Sequence, residues 1–195
     1  MRALFPTFVL QKPLKLDPKI HRELKRTTLK LPEVDEAGMS WSTKNYPNGY
    51  TSYGSLSELH RQFTVFDTLK KSLDREVKAF CKKAGITFQR GELRLSSLWV
   101  NIMPKNCYHA FHAHPNSIVS GTYYLNVPKK TSPLRLEDPR VGLFMACPPR
   151  PIRVDLLPRA GEVILFESWL KHEVPPHYTE EERLSVSFNY DWIQD

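Results

Sequence analysis

His112-Ala113-His114-Pro115-Asn116-Ser117-Ile118-Val119-Ser120-Gly121-Thr122-Tyr123-Tyr124-Leu125-Asn126 is the stretch on which the reading of the fold turns. Side chains on extended backbone alternate with period two, so His112 and His114 project to one side and can meet a single metal ion. Past the Pro115-Asn116 turn, Ser120, Thr122 and Tyr124 share one face of the strand expected over 117–127. A third histidine is supplied by His172, at the end of Gly161-Glu162-Val163-Ile164-Leu165-Phe166-Glu167-Ser168-Trp169-Leu170-Lys171-His172, which reads as a tight turn, a buried strand and a loop. Arg183 then opens an alternating strand, Arg183-Leu184-Ser185-Val186-Ser187-Phe188-Asn189-Tyr190.

Imidazole suits iron, copper, nickel and zinc, so three histidines alone leave the metal undecided, with zinc hydrolase chemistry open on ligand type. Arg183 argues against a hydrolase, because a fixed guanidinium is the bidentate partner of a dicarboxylate's remote end. Ser185 lies beside it and adds a hydroxyl. A close histidine pair, a distant histidine and then an arginine is the order of a mononuclear iron site that also takes an acidic cosubstrate.

Outward from this centre, period-two patterning predicts strands over 93–102 (broken near Ser96-Ser97), 108–114, 117–127, 133–137, 151–157, 161–167 and 183–191. On the last strand Arg183, Ser185, Ser187 and Asn189 form a polar face toward a cavity, and Leu184, Val186, Phe188 and Tyr190 an apolar face toward helices. The N-terminal part reads as a short strand over 4–10 around Pro6, then a helix from about Asp17 with Ile20, Leu24 and Thr27 on one face. A loop over 31–54 carries Trp41, Tyr46, Tyr50 and Tyr53 and is placed to fold over a site. A short helix over 57–62 precedes a longer one from a capping-box-like Thr64 and Asp67 to Gly85, with Phe66, Leu69, Leu73, Val77 and Phe80 at helical spacing. The order is α+β: a jelly roll or cupin-type barrel with helices on the outer face of one sheet. The expected organisation is one domain over 1–195, with 1–90 as helical support and loop and 91–195 as the jelly-roll core.

Hydrophobic residues at 41% and charged residues at 25% are ordinary globular values, and sixteen prolines against eight glycines indicate ordered loops. Apolar runs are only strand-length and the first residues lack a leader pattern, so a membrane association is not expected and a cytoplasmic location is the default. Cys81, Cys107 and Cys147 lack CxxC spacing and read as core or neutral thiols rather than a disulfide or zinc framework. Residues 1–30 hold eight Lys or Arg against Asp17 and Glu23, so they carry six of the seven net positive charges. No aromatic residues interleave with them, so a solvated helix face is favoured over a nucleic-acid surface.

The combination His-x-His-Pro-Asn-Ser, Ser-Gly-Thr-Tyr-Tyr-Leu, Asp-Pro-Arg, Gly-Glu-Val-Ile-Leu-Phe-x-Ser-Trp-Leu-x-His-x-Val-x-Pro and Arg-x-Ser-x-Ser-Phe-Asn resembles the 2-oxoglutarate/Fe(II) oxygenases of bacteria and phages. Leu4-Phe5-Pro6-Thr7 and Gly49-Tyr50-Thr51-Ser52 extend the resemblance over nearly the whole chain. It implies a double-stranded β-helix, Fe(II) as metal, 2-oxoglutarate as cosubstrate and O2 as oxidant. Tyr123-Tyr124-Leu125-Asn126 is more distantly similar to the cosubstrate-binding strand of prolyl hydroxylases. Carried over, His112 is the first ligand, His172 the last, Arg183 the C5-carboxylate anchor with Ser185 beside it, and Tyr124 with Ser120 auxiliary carboxylate contacts. Where the wider superfamily has Asp or Glu, this chain has His114, which either completes a three-imidazole set or stands just outside it.

Other readings remain beside these. Arg183 could pair with Glu180 or Glu182, and Tyr124 could be packing alone. His109 is at an odd offset from His112, which puts it on the opposite face or in the turn. His21, His60 and His177 read as surface residues. Asp138, Arg140 and Asn101 are candidates for facing substrate. The function expected is a dioxygenase hydroxylating an unknown small molecule or peptide with release of succinate and CO2. The alternative is a non-catalytic cupin-like metal or ligand-binding module, and homodimer formation is open.

Overall fold

The computed structural model describes residues 1–46, 48–145 and 151–194; Cys147 lies outside them. Among the described residues, ten strands form two antiparallel sheets. The larger runs β1 (Val9–Pro13), β8 (Glu162–Glu167), β5 (Val119–Asn126), β10 (Arg183–Ile193), β3 (Glu92–Met103), β2 (Tyr50–Thr51). The smaller runs β4 (His109–His112), β9 (His172–Val174), β6 (Leu134–Glu137), β7 (Arg153–Leu156). From β3 onward the chain passes back and forth between the sheets, crossing at every step except the β6–β7 hairpin. That winding is the double-stranded β-helix, and the expected jelly roll is correct.

Alternation along the central strands decides what each side buries. In β8, Val163 and Leu165 face the helices while Ile164 and Phe166 point between the sheets, and all four are buried. In β10, Leu184, Val186, Phe188 and Tyr190 join the helix-side core, as their spacing predicts. Gly121 in β5 sits where the strand runs closest to its neighbours: a Cβ there would lie 2.6 Å from the Ile164 carbonyl oxygen and from Phe188 Cζ.

Helix α4 (Thr64–Ala84) covers this outer face with Phe66, Leu69, Leu73 and Val77, each fully buried, and stops where Gly85 takes the left-handed conformation at φ 73°. The capping box expected at Thr64 and Asp67 does not form: Phe63 occupies the cap position and no side chain caps the helix start. Asp67 instead pairs with Lys71 one turn on. Helix α1 (Pro18–Lys30), capped by Asp17 through the Lys19 amide, buries Leu24 and Thr28 rather than Thr27. Polar ties fasten both helices: Tyr190 Oη donates to Asp74 at 2.7 Å, and the His21 imidazole meets the Tyr123 hydroxyl at 2.7 Å.

Two N-terminal expectations fail. The first strand is Val9–Pro13, not 4–10, because residues 4–8 find no partner while 9–13 pair with β8. The segment 31–54 is not a plain loop: it holds a 3-10 turn over Leu31–Glu33, helix α2 (Glu36–Asn45) and β2. α2 has almost no amphipathic pattern, which hid it. Its start is fixed by Asp35, a buried carboxylate that accepts from the Gly38 amide, the Tyr50 hydroxyl and the Ser55 hydroxyl. α3 (Leu59–Gln62) is the short helix expected there. No helix among the described residues is long and apolar enough to cross a membrane.

Candidate active site

β4 and β9 lie side by side at one mouth of the barrel, and His112 is directly opposite His172 in their register. β9 is a strand that the sequence presented as loop; three residues between Lys171 and Pro175 are too few to show a period, and pairing with β4 on one side and β6 on the other makes the strand. His112 Nδ1 lies 2.7 Å from the Ala110 carbonyl and His172 Nδ1 lies 2.8 Å from the Leu170 carbonyl. A carbonyl only accepts, so in both rings Nδ1 carries the proton and Nε2 presents its lone pair. His114 arrives from the turn after β4, held by its amide donating to the Ser168 carbonyl at 2.9 Å, and its Nε2 is 3.3 Å from that of His172. One nitrogen of each of the three rings falls within 4.8 Å of the others. Two imidazoles bound at right angles to one ion at about 2.1 Å would have nitrogens about 3 Å apart, so the set fits a metal with little movement.

Burial keeps His172 and His114 neutral. His172 is lowered to about 3, first by desolvation and then by the neighbouring His112, and His114 is lowered to about 4 for the same reasons in the same order. A neutral imidazole is the ligand form.

The three rings open into a cavity of about 670 Å³ between the sheets, in the size range of small-molecule sites. Arg183 is on its inner wall, 2% exposed. Its Nη1 donates to the Ser132 carbonyl at 2.8 Å and its Nη2 reaches the Tyr124 hydroxyl at 3.4 Å, with the guanidinium over the Tyr124 ring. Its Nε has no partner, and among the described residues no carboxylate lies within ion-pair distance, so the Glu180 and Glu182 pairings do not form. A buried cation without a counter-ion costs several kcal/mol. A carboxylate entering the cavity supplies both the missing charge and the missing acceptor. Tyr124 therefore does more than pack.

Ser185 stands opposite Tyr124 on β5 and Asn101 on β3, and all three line the cavity. Asn101 is buried and bridges Thr51 and Ser187. Ser120 also lines the cavity, but it pairs with Asn189, four residues along β10 from Ser185, and its hydroxyl is taken by Ser168 and Asn189 at 2.8 Å each. It is thus remote from Arg183. Asp138 and Arg140, expected to face substrate, do not line the cavity; they clasp each other in a turn outside it, where Arg140 Nε donates to Asp138 at 2.9 Å.

One cavity histidine escaped the sequence reading. His109 is not on the opposite face from His112, because β4 slips register between them: three steps on β4 match two on β9. That bulge turns an odd offset into a shared face. His109 stacks on Tyr46 at 4.7 Å and meets the His112 ring at 6.2 Å. His60 and His177, read as surface residues, are buried; His177 is held by the Glu181 carbonyl and Thr179.

Residues 97–189, which contain every one of these cavity histidines and Arg183, match the family described as "Putative 2OG-Fe(II) oxygenase". The strand core is that of a 2OG-Fe(II) oxygenase. Solved structures agree on the fold of this oxygenase. SnoN, a non-heme α-ketoglutarate-dependent epimerase from nogalamycin biosynthesis, is 18% identical with TM-score 0.68 over 94% of this chain and 77% of its own. HygX from Streptomyces hygroscopicus, solved with nickel and 2-oxoglutarate, is 16% identical with TM-score 0.65 over 95% and 83%. A Pseudomonas putida prolyl-4-hydroxylase is 15% identical with TM-score 0.60 over 95% and 92%. No curated protein matches the chain by sequence.

Proposed function

We propose that this oxygenase holds Fe(II) with His112, His114 and His172, anchors the distal carboxylate of 2-oxoglutarate on Arg183, and hydroxylates a small molecule. The observation that carries the reading is Arg183: a buried, uncompensated guanidinium with a free Nε, on the wall of the cavity into which three imidazoles converge. Fe(II), when bound, supplies oxidative decarboxylation of 2-oxoglutarate with O2 to succinate and CO2, coupled to oxidation of the substrate. The protein's share is positioning. Nδ1–H bonds to Ala110 and Leu170 aim two ligands, the Arg183 fork and the Tyr124 hydroxyl fix the cosubstrate's far end, and Ser185 lies within the same pocket floor.

The mouth of the cavity speaks to the substrate class. Trp41, Tyr53 and Tyr108 present half-exposed rings there, and Trp99 links Tyr53, at 4.8 Å, to His114, at 6.1 Å. Apart from Arg183 and the histidines, Asp191 is the one charged side chain among the described lining residues. Aromatic faces with one carboxylate favour a neutral or cationic substrate with a flat or alicyclic face, and offer no second cation to a phosphate.

Anaerobically purified protein, given Fe(II), 2-oxoglutarate and O2, should form succinate slowly without substrate, and faster with members of a metabolite library lacking phosphate. Complete absence of succinate across that library would leave a non-catalytic binding module.

A further inference from the structure

The cavity contains a fourth imidazole with nothing to do. His109 is pinned through its ring face by Tyr46, and among the described residues no protein atom hydrogen-bonds its ring nitrogens. The ring edge is therefore turned to the cavity that it lines. Its surroundings locate it: its ring meets that of His112 at 6.2 Å, and it shares the cavity wall with Arg183, His114 and His172. Among the described residues nothing acidic acts on it from β4, from β9 or from the segment of Tyr46 that follows α2. An imidazole keeps at least one N–H in either protonation state, and His109 lines the same cavity as Arg183 and the three candidate ligands, where a dicarboxylate spanning them would lie.

We propose that His109 is a cosubstrate-positioning residue, its cavity-facing N–H donating to the metal-end carboxylate of 2-oxoglutarate while Arg183 holds the distal one. The proposal rests on the reading of the site given above. It explains why the bulge in β4 is worth its irregularity: without the slipped register His109 would leave the cavity. It also explains the Tyr46 stack, which fixes the ring plane without using either nitrogen. An unoccupied donor held rigid by stacking is already oriented before the ligand arrives, so little ordering is lost on binding.

The test is calorimetric titration of Ni(II)-loaded protein, which removes turnover from the readout. Two ligands are used: 2-oxoglutarate, and 2-oxopentanoate, which keeps the keto-acid end and has a methyl group where the distal carboxylate would be. His109→Phe should raise Kd for both by about tenfold, the loss of one hydrogen bond to a charged group. Arg183→Leu should weaken 2-oxoglutarate alone. His109→Gln, which retains an N–H donor and stacks on Tyr46 through its amide plane, should bind both within about threefold of the unmodified protein. Nickel content should be the same in all. If His109→Phe binds both keto acids normally while Arg183→Leu loses 2-oxoglutarate, His109 does not touch the cosubstrate and the site reading stands. If His109→Phe weakens binding and His109→Gln fails to restore it, the effect is packing against Tyr46 and the proposal is overturned. If the unmodified protein binds neither acid, the cosubstrate reading itself falls.

Discussion

His112 and His172 occupy opposed positions on neighbouring strands, with ring centroids 4.3 Å apart although sixty residues separate them in the chain. Each ring is oriented by its own stretch of backbone, through a bond from Nδ1 to the carbonyl two residues earlier. The pair is therefore built by backbone, and side-chain neighbours matter less to its aim.

His112→Ala and His172→Ala should each abolish stoichiometric iron binding, because a two-imidazole remainder lacks the third donor that a facial site requires. Metal content after anaerobic loading and desalting measures this. The folded state should survive in His112→Ala, whose parent side chain is solvent-exposed.

His114 carries the sharper test. With its Nε2 at 3.3 Å from that of His172, it is placed as a ligand, so His114→Ala should lose iron along with the other two. His114→Asp should keep iron at least as well as the unmodified protein, since a carboxylate adds a negative charge toward a 2+ ion, though its shorter reach lowers turnover. Iron-replete His114→Ala beside apo His114→Asp would remove His114 from the ligand set.

Arg183→Leu should raise the 2-oxoglutarate KM about ten- to a hundredfold, the range of a charge-assisted hydrogen bond worth about 1.5–3 kcal/mol. Iron content should not change. The cosubstrate-free variant should be at least as stable to heat as its parent, because it no longer buries an uncompensated cation. A wild-type KM would move the anchor elsewhere; a lower melting temperature would mean that the Ser132 and Tyr124 contacts outweigh the desolvation cost.

Acid should unfold the metal-free protein early. His114 and His172 have folded-state values of about 4 and about 3, below the ordinary 6.5. The unfolded chain then binds more protons than the folded one between about pH 6.5 and those values. The stability of the folded state is therefore complete above pH 6.5 and falls as pH drops toward 4. Urea midpoints at pH 7.5, 6 and 5 read this directly. The same series on His114→Ala/His172→Ala should be flatter, and identical slopes would assign the acid sensitivity to other groups. Iron release should follow the same direction, since protons compete for the ligand nitrogens.

What the sequence by itself determined is what a strand's period and a residue's chemistry carry. The two faces of Arg183–Tyr190, the apolar stripe of the Phe66–Val77 helix, its Gly85 stop, and the His112, His114, His172 and Arg183 set all follow from local alternation or from residue type. The jelly-roll class follows from the count of such strands. Tertiary structure decided the rest. Strand β9 exists because β4 and β6 flank it, and helix α2 has no amphipathic period because it buries Gly38 and Ser42 and starts on a buried carboxylate cap instead of presenting a stripe. Ser120 is separated from Arg183 by register with β10, and Asp138 and Arg140 close on each other outside the cavity. His109 shows the physical reason most plainly. Side-chain direction is readable from spacing only while the ladder is regular, and one slipped residue between strands distant in sequence reverses it.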